Sequence, residues 1–257
     1  MDRVSVVIPT YNSAKTICRA VDSALLQKVP MEILVIDDAS NDETERVMRK
    51  YKTEARVRYL KNEKNLGVSA SRNRGVAAAY GEYVAFLDAD DYWADGKLEK
   101  QLKLMKKTGD VLCCTGRELM GDNGALSGKI IPVSDRITYR QLLLGNVINC
   151  SSVLAKRSVL LEFPMEHDEC HEDYLNWLRI LKKYGSACGV PEPLLKYYVS
   201  SNGKSGNKLH SAGMTYQVYR RLGLGRLASL GYFCCYAWNG FLKYRKASHY
   251  RENKAAD

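Results

Sequence analysis

The run Tyr83-Val-Ala-Phe-Leu-Asp88-Ala89-Asp90-Asp91-Tyr-Trp93 places three carboxylates directly after an apolar segment of strand length. Carboxylates at the end of a buried strand are costly unless a cation meets them. Hard oxygen ligands suit Mg2+ or Mn2+, and Mg2+ usually takes one or two protein carboxylates together with substrate phosphates. The Asp88-Ala89-Asp90 spacing therefore predicts a divalent cation that carries a phosphorylated ligand. Taken alone, such a cluster is more often a loop acid patch or a helix cap. Two other acidic pairs have the same double reading. Asp37-Asp38 follows an apolar run and could cap the next helix, and Glu172-Asp173 heads a helical pattern whose amino terminus it would suit electrostatically.

These groups need elements to position them. Val4 to Ile8 reads as a buried strand, and Ser13 to Gln27 places Ile17, Val21, Ala24 and Leu25 at helical spacing, with Asn12 or Ser13 available as a cap. A second strand over Glu32 to Asp37 precedes a helix from about Asp42 to Lys52. A third strand, Arg56 to Leu60, leads through a polar loop to a helix over Val68 to Ala79, and the fourth strand delivers the aspartates. Strand and helix in alternation imply an α/β fold with a mostly parallel sheet covered on both faces. Ligands bind such sheets at the carboxyl ends of the strands, where Pro9-Thr-Tyr11-Asn12, Asp37-Asp38 and Asp88-Ala-Asp90 all fall. After a helix over Lys97 to Thr108 the pattern loosens. It gives a strand over Val111 to Thr115, a turn-rich loop over Gly121 to Gly128, an extended piece over Asn149 to Leu154, a helix over His171 to Tyr184 and a mobile loop over Ser200 to Asn207.

Taken together, Val7-Ile-Pro9-Thr-Tyr11-Asn12, Ile36-Asp37-Asp38-Ala-Ser40, Asn65-Leu-Gly67 leading to Ser71-Arg72-Asn73-x-Gly75, Asp88-Ala89-Asp90-Asp91 and His171-Glu172-Asp173 resemble the family 2 inverting glycosyltransferases of GT-A fold. Order and approximate spacing match from residue 4 to about residue 200. The resemblance implies a GT-A, Rossmann-like sheet flanked by helices, with residues 1–115 as a nucleotide-sugar-binding half, 116–207 as the acceptor half of the same domain, and 208–257 as a basic helical tail. It implies that Pro9 and Tyr11 border the nucleotide, that Asp38 accepts a hydrogen bond from uracil, and that Arg72 lies near the phosphates. Asp88 would approach the ribose, with Ala89 beside it, and Asp90 would ligate Mn2+ or Mg2+. Of the acidic pair, Asp173 is the better match to the catalytic base, with Glu172 next to it. The implied reaction moves one sugar from a UDP-sugar to a hydroxyl of a glycan acceptor, a lipid-linked intermediate on a polyprenyl diphosphate.

Two departures qualify the match. Tyr197 to Ser201 holds none of the histidines that many relatives carry after the last core strand, and His210 is the nearest substitute. Gln217-Val-Tyr-Arg220-Arg221 lacks the tryptophan of the processive synthases' Gln-x-x-Arg-Trp, which favours single-sugar transfer. Rival readings are a sugar nucleotidyltransferase, for which no glycine-rich amino-terminal loop is present, and a catalytically silent glycan- or lipid-binding module. His167 and His171 resemble zinc ligands but have no recognisable third partner. Trp93 and Trp177 read as core or rim packing sooner than as sugar platforms.

Composition fits a soluble globular chain: 257 residues, 46% hydrophobic and 26% charged. The eight cysteines form no C-x-x-C pair and read as reduced thiols of a cytoplasm, and the apolar run ending at Pro9 is too brief for a signal peptide. Net charge is +10, and residues 208 to 257 hold nine Lys or Arg against two acids, an excess of +7. Inside that tail Leu227 to Leu242 carries no charge, and its 16 residues fall short of the ~20 that span a bilayer. Basic residues flank this block instead of interleaving with it, which disfavours nucleic acid and favours an interfacial helix on the inner face of the plasma membrane. Packing on the catalytic domain or a homodimer contact is the alternative role for the tail.

Overall fold

The structure, a computed structural model, describes residues 3–121, 124–199 and 208–253. The amino-terminal half alternates as its sequence pattern predicts. Strands β1 (Val4–Thr10), β2 (Met31–Asp37), β3 (Val57–Lys61) and β4 (Tyr83–Phe86) pair in parallel in the order β3-β2-β1-β4. Helices α1 (Ile17–Leu25), α2 (Thr44–Met48) and α3 (Val68–Ala78) connect them. Every residue of β1 and β2 is buried, because both faces of the sheet are covered. Alternate side chains serve separate cores. Val7, Leu34, Ile36 and Phe86 pack with α3 on one face, whereas Val6, Ile8, Ile33 and Val35 pack with α1 on the other.

The second half extends the same sheet with mixed direction. It adds β5 (Tyr92–Trp93), α4 (Lys97–Thr108), β6 (Leu112–Met120), β7 (Leu126–Ile131), β8 (Arg136–Thr138), α5 (Tyr139–Leu143), β9 (Leu154–Lys156), α6 (Arg157–Glu162), α7 (Glu172–Tyr184), β10 (Ser186–Tyr198), α8 (Lys208–Arg221) and α9 (Arg226–Asn253). Strand β9 lies antiparallel between β4 and β6, and β6 runs parallel to β10. The boundary at 115/116 falls inside β6, so the two halves share one sheet.

Several local expectations are corrected. The strand at Val111 to Thr115 continues to Met120 and pairs with β7, which takes residues 126–128 of the expected 121–128 loop into strand, while 121, 124 and 125 form the turn and 122 and 123 lie outside the described set. Strand β10 escaped the pattern because Pro191 and Pro193 interrupt it, and its register against β6 shifts between Val190 and Leu195. The piece at Asn149 to Leu154 is a 3-10 turn, Cys150–Ser152, leading into β9. Helix α1 starts at Ile17 without a side-chain cap, since Asn12 is bonded elsewhere. The Ser200 to Asn207 loop lies outside the described residues.

Helix α7 positions the second acidic pair. Trp177 is fully buried and meets Phe86 of β4 with ring centroids 6.3 Å apart, which fixes α7 across the sheet face. Trp93 is buried as well, so both tryptophans are core residues.

Candidate active site

At the carboxyl ends of β1 and β2 the two loops interlock. The Asn12 N–H donates to Ser40 Oγ (2.9 Å), and Asn12 Oδ1 accepts from the Asn41 N–H (2.9 Å). Asn12 has a φ of 52°, in the left-handed region that asparagine tolerates better than most residues. Pro9 is buried beneath this loop and Tyr11 stands 49% exposed at its rim. Asp37 does not cap α2, because its carboxylate takes the Ser40 and Tyr59 hydroxyls. Asp38 is buried and accepts from Asn62 Nδ2 (2.6 Å) and the N–H groups of Leu66 (2.9 Å) and Gly67 (2.8 Å). Three donors on one carboxylate fasten the 62–67 loop over the crevice.

Helix α3 follows that loop, and the Ser71-Arg72-Asn73-x-Gly75 segment divides three tasks. Gly75 lies so close to β1 that a Cβ there would stand 2.3 Å from Val7 Cγ1, so only glycine lets the helix approach. Asn73 makes a reciprocal pair with the Met165 backbone, Nδ2 to O at 2.7 Å and N–H to Oδ1 at 2.9 Å. Arg72 turns into the crevice. Gly67, with a φ of 90°, offers no cap to α3, and Asp168 serves from 99 residues away by accepting from the N–H and hydroxyl of Ser69.

The Arg72 guanidinium joins two distant acids. Its Nη2 lies 2.7 Å from Asp88 Oδ1 and its Nη1 2.9 Å from Glu172 Oε1, with only 5% of the side chain exposed. Burial opposes its charge, but the surrounding acidic groups Cys150, Asp88 and Glu172 outweigh that and hold its pKa well above the usual arginine value. The structure thus places Asp88 and Glu172 around one cation although 84 positions separate them in sequence.

Each acid neighbours a second one with a different fate. Burial and the adjacent Asp88 push the Asp90 carboxyl up to about 6. Burial and Glu172 push Asp173 up to about 7. Asp173 is half-buried, and its carboxylate takes the N–H of Tyr174 at 2.7 Å. Glu172 is more deeply buried and committed to Arg72. Asp91, buried next to them, accepts from the Tyr198 N–H (2.8 Å) and so ties the aspartate turn to the end of β10.

Side chains from neighbouring elements carry the aspartate turn. The Asp88 N–H donates to Ser151 Oγ (3.0 Å), Trp93 Nε1 donates to Ser151 O (2.8 Å), and the buried Lys97 Nζ stands 4.1 Å over the Trp93 ring. Ala89 is buried within the turn. From α1, Arg19 Nη2 donates to the Asp90 carbonyl (2.8 Å).

The donor set fits a hard divalent cation. Burial and then the neighbouring Asp88 raise the Asp90 carboxyl, a condition that a bound cation would reverse. Among the described residues no three His, Cys, Asp or Glu side chains converge as a ready-made metal cage. His167 Nδ1 faces Glu169 (3.0 Å) and His171 Nε2 faces Ser211 (3.2 Å), so that pair is committed to separate partners. His210 lies exposed in α8.

Asn62, Asp168, Ser151 and Arg19 were not legible as site residues, because their partners lie 24, 99, 63 and 71 positions away. Asn73 was visible within the motif but without a task.

Residues 5–160 match the sequence model described as Glycosyl transferase family 2. The chain belongs to that family. Over 255 residues it is 32% identical to an Escherichia coli protein, the UDP-Glc:alpha-D-GlcNAc-diphosphoundecaprenol beta-1,3-glucosyltransferase WfgD, covering 98% of both chains. Among solved structures it resembles the mannosyltransferase PcManGT from Pyrobaculum calidifontis in complex with GDP-Man and Mn2+, with a TM-score of 0.71 at 18% identity over 96% of this chain and 74% of that one. It also resembles S. aureus TarS 1-349 in complex with UDP-GlcNAc, with a TM-score of 0.68 at 18% identity, over 91% of this chain and 70% of that one. These likenesses establish the GT-A glycosyltransferase fold. The family match ends before Glu172, and the Arg72 bridge is what joins that later pair to the matched region.

Proposed function

We propose that this family 2 glycosyltransferase moves one sugar, with inversion, from a UDP-sugar to a hydroxyl of a glycan carried on a polyprenyl diphosphate. The observation that carries this reading is the single buried guanidinium shared by Asp88 and Glu172, which makes one crevice of two acidic pairs. Pro9, Tyr11 and Asp38 line the nucleotide end of that crevice. Asp90 would hold Mn2+ or Mg2+, which when bound would stabilise the charge developing on the departing diphosphate, and Asp88 would approach the ribose.

The remaining chemistry belongs to the protein. Asp173 acts as general base on the acceptor hydroxyl, and a carboxyl raised to about 7 is matched to working pH. Glu172, bonded to Arg72, stands beside Asp173 and helps to raise its carboxyl. Arg72 acts by fixing Asp88 and Glu172 relative to one another. One in-line displacement inverts the anomeric carbon and delivers the hydroxyl proton to Asp173.

The relative named as a UDP-Glc:alpha-D-GlcNAc-diphosphoundecaprenol glucosyltransferase, aligned over 98% of both chains, supports testing that donor and acceptor first. The assay measures UDP release from UDP-glucose with a GlcNAc-diphosphate lipid acceptor and Mn2+, for the native chain, Asp90→Asn and Asp173→Asn. Acceptor-dependent UDP release that both substitutions abolish is the expected result. Release of inorganic diphosphate from a sugar phosphate and UTP, or no turnover with any nucleotide sugar, would refute it.

A further inference from the structure

Helix α9 shows two apolar faces, and the domain covers one of them. Tyr232, Phe233 and Tyr236 turn inward: the Tyr232 ring stacks on Tyr219 of α8 at 5.8 Å, and Tyr236 lies 5.7 Å from Tyr174 of α7. Asn239 on the same side donates to the Leu144 carbonyl (2.9 Å). The opposite face carries Leu227, Leu230, Cys234, Trp238 and Phe241, at helical intervals of three and four. All five are exposed, Leu227 by 87% and Trp238 by 63%. A row of this kind, about 21 Å long by helix rise, is not an isolated surface leucine. It is a continuous apolar strip.

Charge decides what covers it. The sequence holds no acid from Lys208 to Arg251, and Arg226 precedes the strip while Lys243, Arg245 and Lys246 follow it; Arg221, on α8, is paired with Glu169. A second copy of the chain seated on this strip, in either direction, sets basic flanks against basic flanks. An anionic bilayer supplies the opposite charge at both ends and an apolar layer between them. No helix among the described residues is long and apolar enough to cross a membrane, so the strip meets the surface lengthwise.

We infer that the outward face of α9 lies in the interface of an anionic lipid bilayer, with Leu227, Leu230, Trp238 and Phe241 inserted and Arg226 near the headgroups at the start of the helix. The inward face then anchors the catalytic domain through Tyr219 and Tyr174. Tyr174 follows Asp173 directly, so the membrane helix and the base share one aromatic stack.

The chain carries its own reporter. Of three tryptophans, Trp93 and Trp177 are buried and Trp238 is exposed. With the full chain and vesicles of phosphatidylcholine plus phosphatidylglycerol, tryptophan emission shifts to the blue and brominated lipid quenches it. Both effects weaken as salt rises, because the attraction is screened. In Trp238→Phe the emission response disappears while vesicle sedimentation persists. Leu230→Glu and Phe241→Glu, at exposed positions that leave the core intact, each weaken partitioning by roughly tenfold or more. No emission change with anionic vesicles, or an equal change with phosphatidylcholine alone, overturns the inference. So does a dimer in sedimentation velocity that Leu230→Glu dissociates. Since binding is read without turnover, failure here is distinct from failure of the glycosyl-transfer reading.

Discussion

The two acidic pairs on either side of Arg72 come from unlike parts of the fold, a turn after a strand and the first turn of a helix, yet they divide their labour identically. In each, one carboxylate is spent on the guanidinium, Asp88 in the first and Glu172 in the second. In each, the neighbour is left with a raised carboxyl, Asp90 to about 6 and Asp173 to about 7. A single buried cation thus sorts four acids into two that hold geometry and two with chemistry still to do. In the proposed reaction Asp90 would hold the cation and Asp173 would take the proton.

Removing the sorting cation should have the largest effect. Arg72→Met leaves the buried Glu172 and the half-buried Asp88 without their partner, and breaking a buried pair such as Arg72–Glu172 costs about 3–5 kcal/mol. We expect the urea midpoint to fall by that equivalent and turnover to vanish, with Arg72→Lys restoring part of the stability but not the two-point geometry.

Substituting the two working acids separates the pairs. Asp173→Asn should lower kcat by about 10^2 to 10^4 while UDP binding with Mn2+, followed by calorimetry, stays near the native value. Asp90→Asn should instead abolish the Mn2+-dependent part of UDP affinity. If both variants lose UDP binding equally, the division of labour is wrong.

A third check is pH. The general base works ionised, so kcat/KM should rise tenfold per unit below about 7 and level off above it. The sign for stability is the reverse. A carboxyl whose folded pKa lies above its unfolded value binds its proton more tightly in the fold, so stability falls as pH climbs from about 4 through about 7. Thermal melts of Asp173→Asn should therefore exceed the native Tm at pH 8 and converge with it near pH 4.

The smallest expected effect is at Asn73→Ala. It removes two hydrogen bonds to Met165, each worth about 1 kcal/mol, and loosens the loop that leads to Glu172. A loss in kcat below about tenfold, with UDP affinity unchanged, would place Asn73 with the base pair. An unchanged kcat with weaker UDP binding would move it to the donor side.

How much of this was legible in the sequence follows from distance along the chain. The parallel half was readable because buried strands and amphipathic helices leave local periodic signals, and α4 runs over the expected residues. Strand β10 was not, since two prolines and a register shift erase its period. Within the site, the acids announced themselves by composition. Their arrangement did not, because Arg72 meets its second partner 100 residues on and two of the three donors to Asp38 are backbone N–H groups that almost any residue type supplies. The tail showed its apolar block in the sequence, but only the fold shows which side of α9 the domain already occupies.

The capping of α3 by Asp168 bears on how the chain matures. During synthesis the donor strands emerge first, but the helix that carries Arg72 lacks its terminal cap until residue 168 has left the ribosome, and Glu172 arrives later still. The nascent upstream half therefore carries an interior guanidinium paired with Asp88 alone beside an uncapped helix start, and domains that fold amino-terminus first are exposed to aggregation in such an interval. The crevice is complete only once the downstream segment with Asp168 and Glu172 has packed on the upstream half.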